Sequence, residues 1–216
     1  MFNCHSHTIT SNCKTILNND LEWIEGLFYS IGRHPWEVIN SDDNFLKIQQ
    51  NASKKNCLAI GEIGLDRLKG PDLAVQKLVF ERQIRISEEE KLPVIIHCVK
   101  AWNEIAEIKE RMNPKQTWIY HGFNKVGILE NVLKLGLMIS IGAAVLTNSK
   151  LQGVISQIPD DRLLLETDDA PIDIFEIYKK VSEIKKIPLQ SLERIIEENF
   201  KRTFKKWQSG SNVQNY

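Results

Sequence analysis

The chain predicts an α/β protein with parallel strands, specifically a (β/α)8 TIM-type barrel abridged in its first βα units. Two observations carry this. Short β-branched runs alternate with longer stretches of helical period along most of the sequence, and eight such runs can be counted. The candidate strands are Met1 to His5, Lys14 to Leu17, Leu27 to Ile31, Cys57 to Ile60, Pro93 to His97, Thr117 to Tyr120, Leu137 to Ile141 and Arg162 to Leu165. The second observation is a shortage at the front. Only 26 residues separate His7 from His34, too few for two helical crossovers of a dozen or more residues each. The total of 216 residues is also small beside the ~250 common for this fold.

Helical signals fall between the strands, at Asp42 to Gln50, Leu73 to Glu90, Ala101 to Met112, Val126 to Leu135, Ser149 to Ile155, Ile174 to Ile184 and Leu189 to Trp207. In the last, Leu192, Ile195, Ile196, Phe200, Phe204 and Trp207 keep the spacing of one buried face. The basic residues Lys201, Arg202, Lys205 and Lys206 fall in its final turns, where positive charge complements the helix dipole. The expected organisation is one domain over residues 1–207, followed by a polar Gly/Ser/Asn-rich tail over 208–216.

Composition narrows the function. Lys+Arg and Asp+Glu are 28 each, so there is no global basic field to hold nucleic acid, and a polyanion would have to be gripped locally. The most apolar stretch, Leu135 to Leu146, falls short of the ~18 residues a spanning helix needs. The residues from Met1 to His5 lack the features of a signal peptide, so a cytoplasmic protein without membrane partners is expected. Cys4, Cys13, Cys57 and Cys98 form no Cys-x-x-Cys pair and read as reduced thiols.

The residues able to bind metal stand where apolar runs end. His5 and His7 close the first strand, His34 follows the third, Glu62 the fourth, His97 ends the fifth, His121 the sixth, and Asp168 follows the eighth. That accounts for all five histidines. One histidine at a strand end is more often a hydrogen-bonded core residue. Five of five, joined by two carboxylates, point instead to a metal site, because the carboxyl ends of barrel strands converge on one face. In His5-Ser6-His7 the two rings share a side of the strand and can chelate one ion.

The segments His5-Ser6-His7, Gly32-Arg33-His34-Pro35, Gly61-Glu62-Ile63-Gly64-Leu65-Asp66, Ile96-His97-Cys98, His121-Gly122-Phe123 and Glu166-Thr167-Asp168, with Asn199 to Phe204 in the closing helix, resemble the TatD-like metal-dependent hydrolases, in particular their compact bacterial branch. The resemblance implies a deoxyribonuclease-type hydrolase using two divalent ions. It implies that His5, His7 and Asp168 hold one ion, that His97 and His121 hold a second, and that Glu62 bridges them. A carboxylate can share its oxygens in this way, whereas a neutral imidazole offers one lone pair. Asp168 and Glu62 are then the catalytic residues, with Asp168 placed to orient or deprotonate water. Imidazole-rich shells suit zinc or manganese as isolated, while the resemblance implies magnesium or manganese in assays.

Two departures stand out. Asn3 occupies a position usually Asp, and Asp169-Ala170-Pro171-Ile172-Asp173 replaces an Arg-Asn-x-Pro segment. Arg33, Arg67, Lys69, Lys100 and Lys125 lie in loops of the expected catalytic face, with Trp36 and Trp102 as candidate stacking surfaces. His34 and Lys100 are assigned to substrate binding. The expected substrate is DNA or another phosphate ester. The competing readings are a metallohydrolase of another small phosphate, acyl or amide substrate and a non-enzymatic binding module, the latter disfavoured because every candidate ligand is present.

Overall fold

The computed structural model describes residues 1–9, 13–19, 26–39 and 45–209. Its eight strands are β1 (Phe2–Ser6), β2 (Lys14–Asn19), β3 (Tyr29–Ile31), β4 (Cys57–Asp66), β5 (Val94–Val99), β6 (Trp118–Tyr120), β7 (Met138–Ile141) and β8 (Leu163–Leu165). They are hydrogen-bonded in the order β1 to β8 in one sheet. The sheet is nearly closed at the β8–β1 seam, where Ser6 and Asp168 form an isolated parallel bridge. There Asp168 N–H donates to His5 O (3.1 Å) and His7 N–H to Asp168 O (3.0 Å). Strictly sequential parallel order with helical crossovers is the topology of a (β/α)8 barrel.

The helices are α1 (Phe45–Ala52), α2 (Leu73–Glu90), α3 (Trp102–Met112), α4 (Leu129–Lys134), α5 (Ser149–Ile155), α6 (Ile174–Lys185) and α7 (Leu189–Thr203). The abridged front is evident in chain length alone. Seven residues, 7–13, join β1 to β2, fewer than a helical crossover requires. The first helix among the described residues follows β3.

Contacts group the chain into two compact units. The first takes Met1–Leu17 and Ile119–Thr203; the second takes Asn18–Trp118 and the segment from Phe204. In the first, β7 and β8 are buried along their length, and Phe2 packs against Phe200 of α7 with ring centroids 4.7 Å apart. In the second, all ten residues of β4 are buried, and Phe80 of α2 meets Trp118 edge-on at 5.6 Å. Strands buried on both faces read as continuous apolar runs, which is why they are visible in the sequence.

Several expected boundaries move. The fourth strand does not stop at Ile60 but runs through Gly61-Glu62-Ile63-Gly64-Leu65 to Asp66, so Glu62 lies within a strand. Gly64 permits this: its φ is +152° and a Cβ there would overlap the His97 carbonyl of β5. The helix expected from Val126 begins as a 3-10 turn over Val126–Ile128 and becomes α-helical at Leu129. The closing helix stops at Thr203. A 3-10 turn over Lys205–Ser209 then seats Trp207 against Phe28, centroids 4.2 Å apart. The first helix begins at Phe45; Asp42 to Asn44, which were expected to open it, lie outside the described residues, as does the tail from Gly210.

Candidate metal centre

In the first unit β1 delivers two imidazoles to one carboxylate. His5 is buried and its Nε2 lies 3.5 Å from Asp168 Oδ1; His7, just past the strand end, places its Nε2 3.4 Å from the same oxygen. The two rings share a side of the strand as expected from the period of two, with centroids 5.2 Å apart. Asp168 sits in the left-handed region, φ 56°, as the chain turns off β8. Asp169 is exposed, and Asp173 caps α6 by accepting the Phe175 N–H at 2.9 Å. Burial would raise the Asp168 carboxyl, but hydrogen bonds from His5 and His7, and then the charges of His121 and His5, outweigh it and hold the group well below the usual carboxylate range. His121 follows β6, its ring 4.7 Å from that of His5. Its Nδ1 lies 3.2 Å from Oε1 of the fully buried Glu166, which also accepts the Gly122 N–H at 2.6 Å.

In the second unit β4 and β5 bring Glu62 and His97 together, with Oε1 to Nδ1 at 2.5 Å. Asn18 Oδ1 on β2 accepts the Glu62 N–H at 2.8 Å. The other His97 nitrogen, Nε2, lies 3.2 Å from Asp66 Oδ2. Asp66 also accepts N–H bonds from Trp36 Nε1 (2.6 Å), Leu68 (2.7 Å) and Lys69 (3.1 Å). Burial would raise its carboxyl, and the bonds from Trp36, Leu68 and His97 bring it below its ordinary value. His34 Nε2 stands 3.1 Å from His97 Nδ1 and 3.4 Å from Glu62 Oε1.

Two donor groups emerge, each with its ligand atoms within 4.8 Å of one another: His5, His7 and Asp168 in the first unit, and His34, Glu62 and His97 in the second. Geometry admits His34 to the second group, but its Nδ1 accepts the Trp36 N–H at 3.2 Å. A neutral imidazole then carries its proton on Nε2, the atom facing Glu62, and has no lone pair there for a cation. The other rings fit metal ligation well. A ligating histidine characteristically turns its second nitrogen to a carboxylate, which fixes the ring and raises its basicity. Asp66 does this at His97 Nε2 and Glu166 at His121 Nδ1.

Asp66 and Glu166 were not among the expected site residues, although both lie inside quoted motifs; spacing alone does not reveal which way a carboxylate turns. Asn3 stands where the family resemblance has Asp. Its amide is spent on Thr167, donating to Oγ1 at 2.8 Å and accepting the Thr167 N–H at 3.1 Å, and so ties β1 to the segment that carries Asp168. Lys100 is exposed just past β5, at φ 52°. Of the other loop cations, Arg67 pairs with Glu104, Arg33 lies 3.8 Å from Glu37, and Lys69 covers a face of Trp36 at 3.7 Å.

The profile of the TatD-related DNases matches residues 3–205. The chain belongs to that family. The metal-dependent hydrolase YabD of Bacillus subtilis (strain 168) is 29% identical over 205 residues, covering 86% of this chain and 80% of its own. The 3'-5' ssDNA/RNA exonuclease TatD of Dickeya dadantii (strain 3937) is 30% identical over 203 residues, covering 83% and 77%. The crystal structure of YjjV, a TatD homologue from Escherichia coli K12, superposes with a TM-score of 0.77 at 25% identity, over 89% of this chain and 86% of that one. Family, fold and donor groups together make this TatD-family chain a divalent-metal-dependent hydrolase. Among its described residues, no helix is long and apolar enough to cross a membrane.

Proposed function

We propose that this hydrolase cleaves phosphodiester bonds of DNA, with the two donor groups serving one reaction. The observation that carries the reading is the pair of buried carboxylates, Asp66 and Glu166, turned to the far nitrogens of His97 and His121. Such partners suit rings whose remaining nitrogens face cations. In this reading His5, His7 and Asp168 would hold one divalent ion, His97 and His121 would hold the other, and Glu62 would serve both. When bound, a pair of ions supplies an activated water and charge neutralisation for in-line attack on a phosphodiester.

The chain's own residues do the rest. Asp168, kept ionised by the two β1 histidines, orients or deprotonates the attacking water. His34 presents Nε2–H toward the substrate side of Glu62, and Lys100 meets phosphate charge. The nuclease name of the Dickeya relative favours a nucleic-acid substrate. Zinc or manganese as isolated, and magnesium or manganese in assays, suit the imidazole-rich set. A cytoplasmic site of action agrees with four free cysteines.

A second reading, hydrolysis of a smaller phosphate ester, is favoured by the zero net charge and by the pairing of Arg33 and Arg67 with carboxylates. Elemental analysis of the purified protein, followed by single-stranded DNA, RNA and small phosphoesters as substrates, tests both. Cleavage confined to small phosphoesters would defeat the DNA reading.

A further inference from the structure

The buried face of α2 carries two amides among its apolar residues. Gln76 and Gln83 are each 1% exposed. They stand seven positions apart, about two turns, and therefore on the same side of the helix. Each spends both ends of its side chain on the main chain of a loop. Gln83 Oε1 accepts the Arg33 N–H at 2.6 Å while Nε2 donates to the Arg33 carbonyl at 3.1 Å. This two-point pairing fixes the residue immediately before His34. Gln76 repeats the device one loop away. Its Oε1 accepts the Asp66 N–H at 2.8 Å, and its Nε2 donates to the carbonyls of Asp66 (2.9 Å), Lys69 (3.1 Å) and Pro71 (2.8 Å).

The two loops are also fastened to each other. Trp36 Nε1 donates to Asp66 Oδ2, and Gly70, at φ +87°, approaches the Pro35 carbonyl so closely that a Cβ would overlap it. Packing alone would be served as well by leucine or methionine at positions 76 and 83. A buried amide carries a desolvation cost that is offset only when its donors and acceptors are used, and here they are used on the loops that hold His34 and Asp66.

We propose that Gln76 and Gln83 are positioning residues of the Glu62–His97–His34 group. Gln83 sets His34 against Glu62, and Gln76 sets Asp66 and through it the His97 ring. The inference rests on the reading of Glu62 and His97 as part of a metal centre with His34 beside it.

It is tested on the full chain with Gln76→Met and Gln83→Met, which keep length and bulk but not the hydrogen bonds. Gln49→Met serves as a control, since Gln49 lies on the exposed side of α1, bonded to Glu89. Ring 15N and 13C signals of the five histidines are recorded in the metal-free protein, and Co2+ is then titrated in. Gln76→Met should move the His97 signals and Gln83→Met those of His34, with His121 unmoved in both. In Gln76→Met one of two Co2+ equivalents should weaken by about tenfold or more, in the range of outer partners of metal ligands. Unmoved His34 and His97 signals with wild-type Co2+ affinities, whatever the melting temperature does, would overturn the proposal. Should either methionine variant fail to fold, Gln76→Glu and Gln83→Glu retain the acceptor, lose the donors and are judged by the same signals. If the wild type takes up fewer than two equivalents or cleaves no phosphodiester, the functional reading fails, while the histidine signals still decide the positioning role.

Discussion

The two units hold their donors by different means. In the first, His5, His7 and Asp168 are set by main-chain pairing at the β8–β1 seam, where Asp168 N–H and carbonyl both engage β1. In the second, Glu62, His97 and His34 are set by side-chain clamps: Asn18 under Glu62, Asp66 behind His97, and the amides of α2 behind both loops. Exposure differs as well, His7 and Asp168 being 43% and 35% exposed beside a buried His5, and Glu62 only 4%. A ladder-held site positions ligands through strand period and tolerates solvent, whereas a clamp-held site depends on buried polar groups whose every bond counts.

This contrast can be broken at graded depths. The largest effect is expected for Asp168→Asn, which should fold normally and lose hydrolysis by about 10²–10⁴-fold, the usual contribution of a positioned acid–base group. Asp169→Asn should retain turnover at saturating metal. If Asp169→Asn is instead the inactive variant, the assignment at the seam is wrong.

Glu62→Gln should reduce bound metal in both groups, and His97→Ala in one, as read by elemental analysis after dialysis. Full occupancy in Glu62→Gln would remove its bridging role. Next come the outer carboxylates. Asp66→Asn and Glu166→Gln should each weaken metal affinity by ~10–100-fold, measured by titration of the stripped protein. A larger loss at Asp66 would sharpen the comparison, because Asp66 also anchors Trp36 and its own loop.

Asn3→Ala should lower stability by about 1–3 kcal/mol in urea melts, since it strands the buried Thr167 N–H. A neutral result would show that the seam does not depend on that amide. Lys100→Ala should have the smallest effect, a few-fold rise in KM with kcat nearly unchanged, because a loop ammonium meets phosphate charge alike in ground and transition states. An unchanged KM across several salt concentrations would return Lys100 to the solvated surface.

Much of the first unit's site is legible in sequence because its geometry is local. His-x-His at a strand end commits both rings to one side, and Leu163-Leu164-Leu165 announces a strand buried on both faces with Asp168 emerging beyond it. In the second unit Glu62 is legible only as a member of a motif. Its true setting inside β4 depends on Gly64 lying under the His97 carbonyl, a tertiary contact. Asp66, Glu166, Asn18, Gln76 and Gln83 were all visible as letters, but their partners lie across strands or from helix to loop, and no periodicity encodes which way a buried amide turns.

The amino-acid sequence by itself determined the order of strands and helices, the barrel topology and the residue types gathered at the strand ends, because burial patterns repeat along the chain with the period of the element that carries them. Only the tertiary structure decided how each donor is aimed: that Asn3 serves Thr167, that His34 turns Nε2 to Glu62 while its Nδ1 accepts from Trp36, and that one face of α2 grips two loops. Those outcomes depend on hydrogen-bond direction between residues far apart in the chain, which is settled when their elements pack and not before.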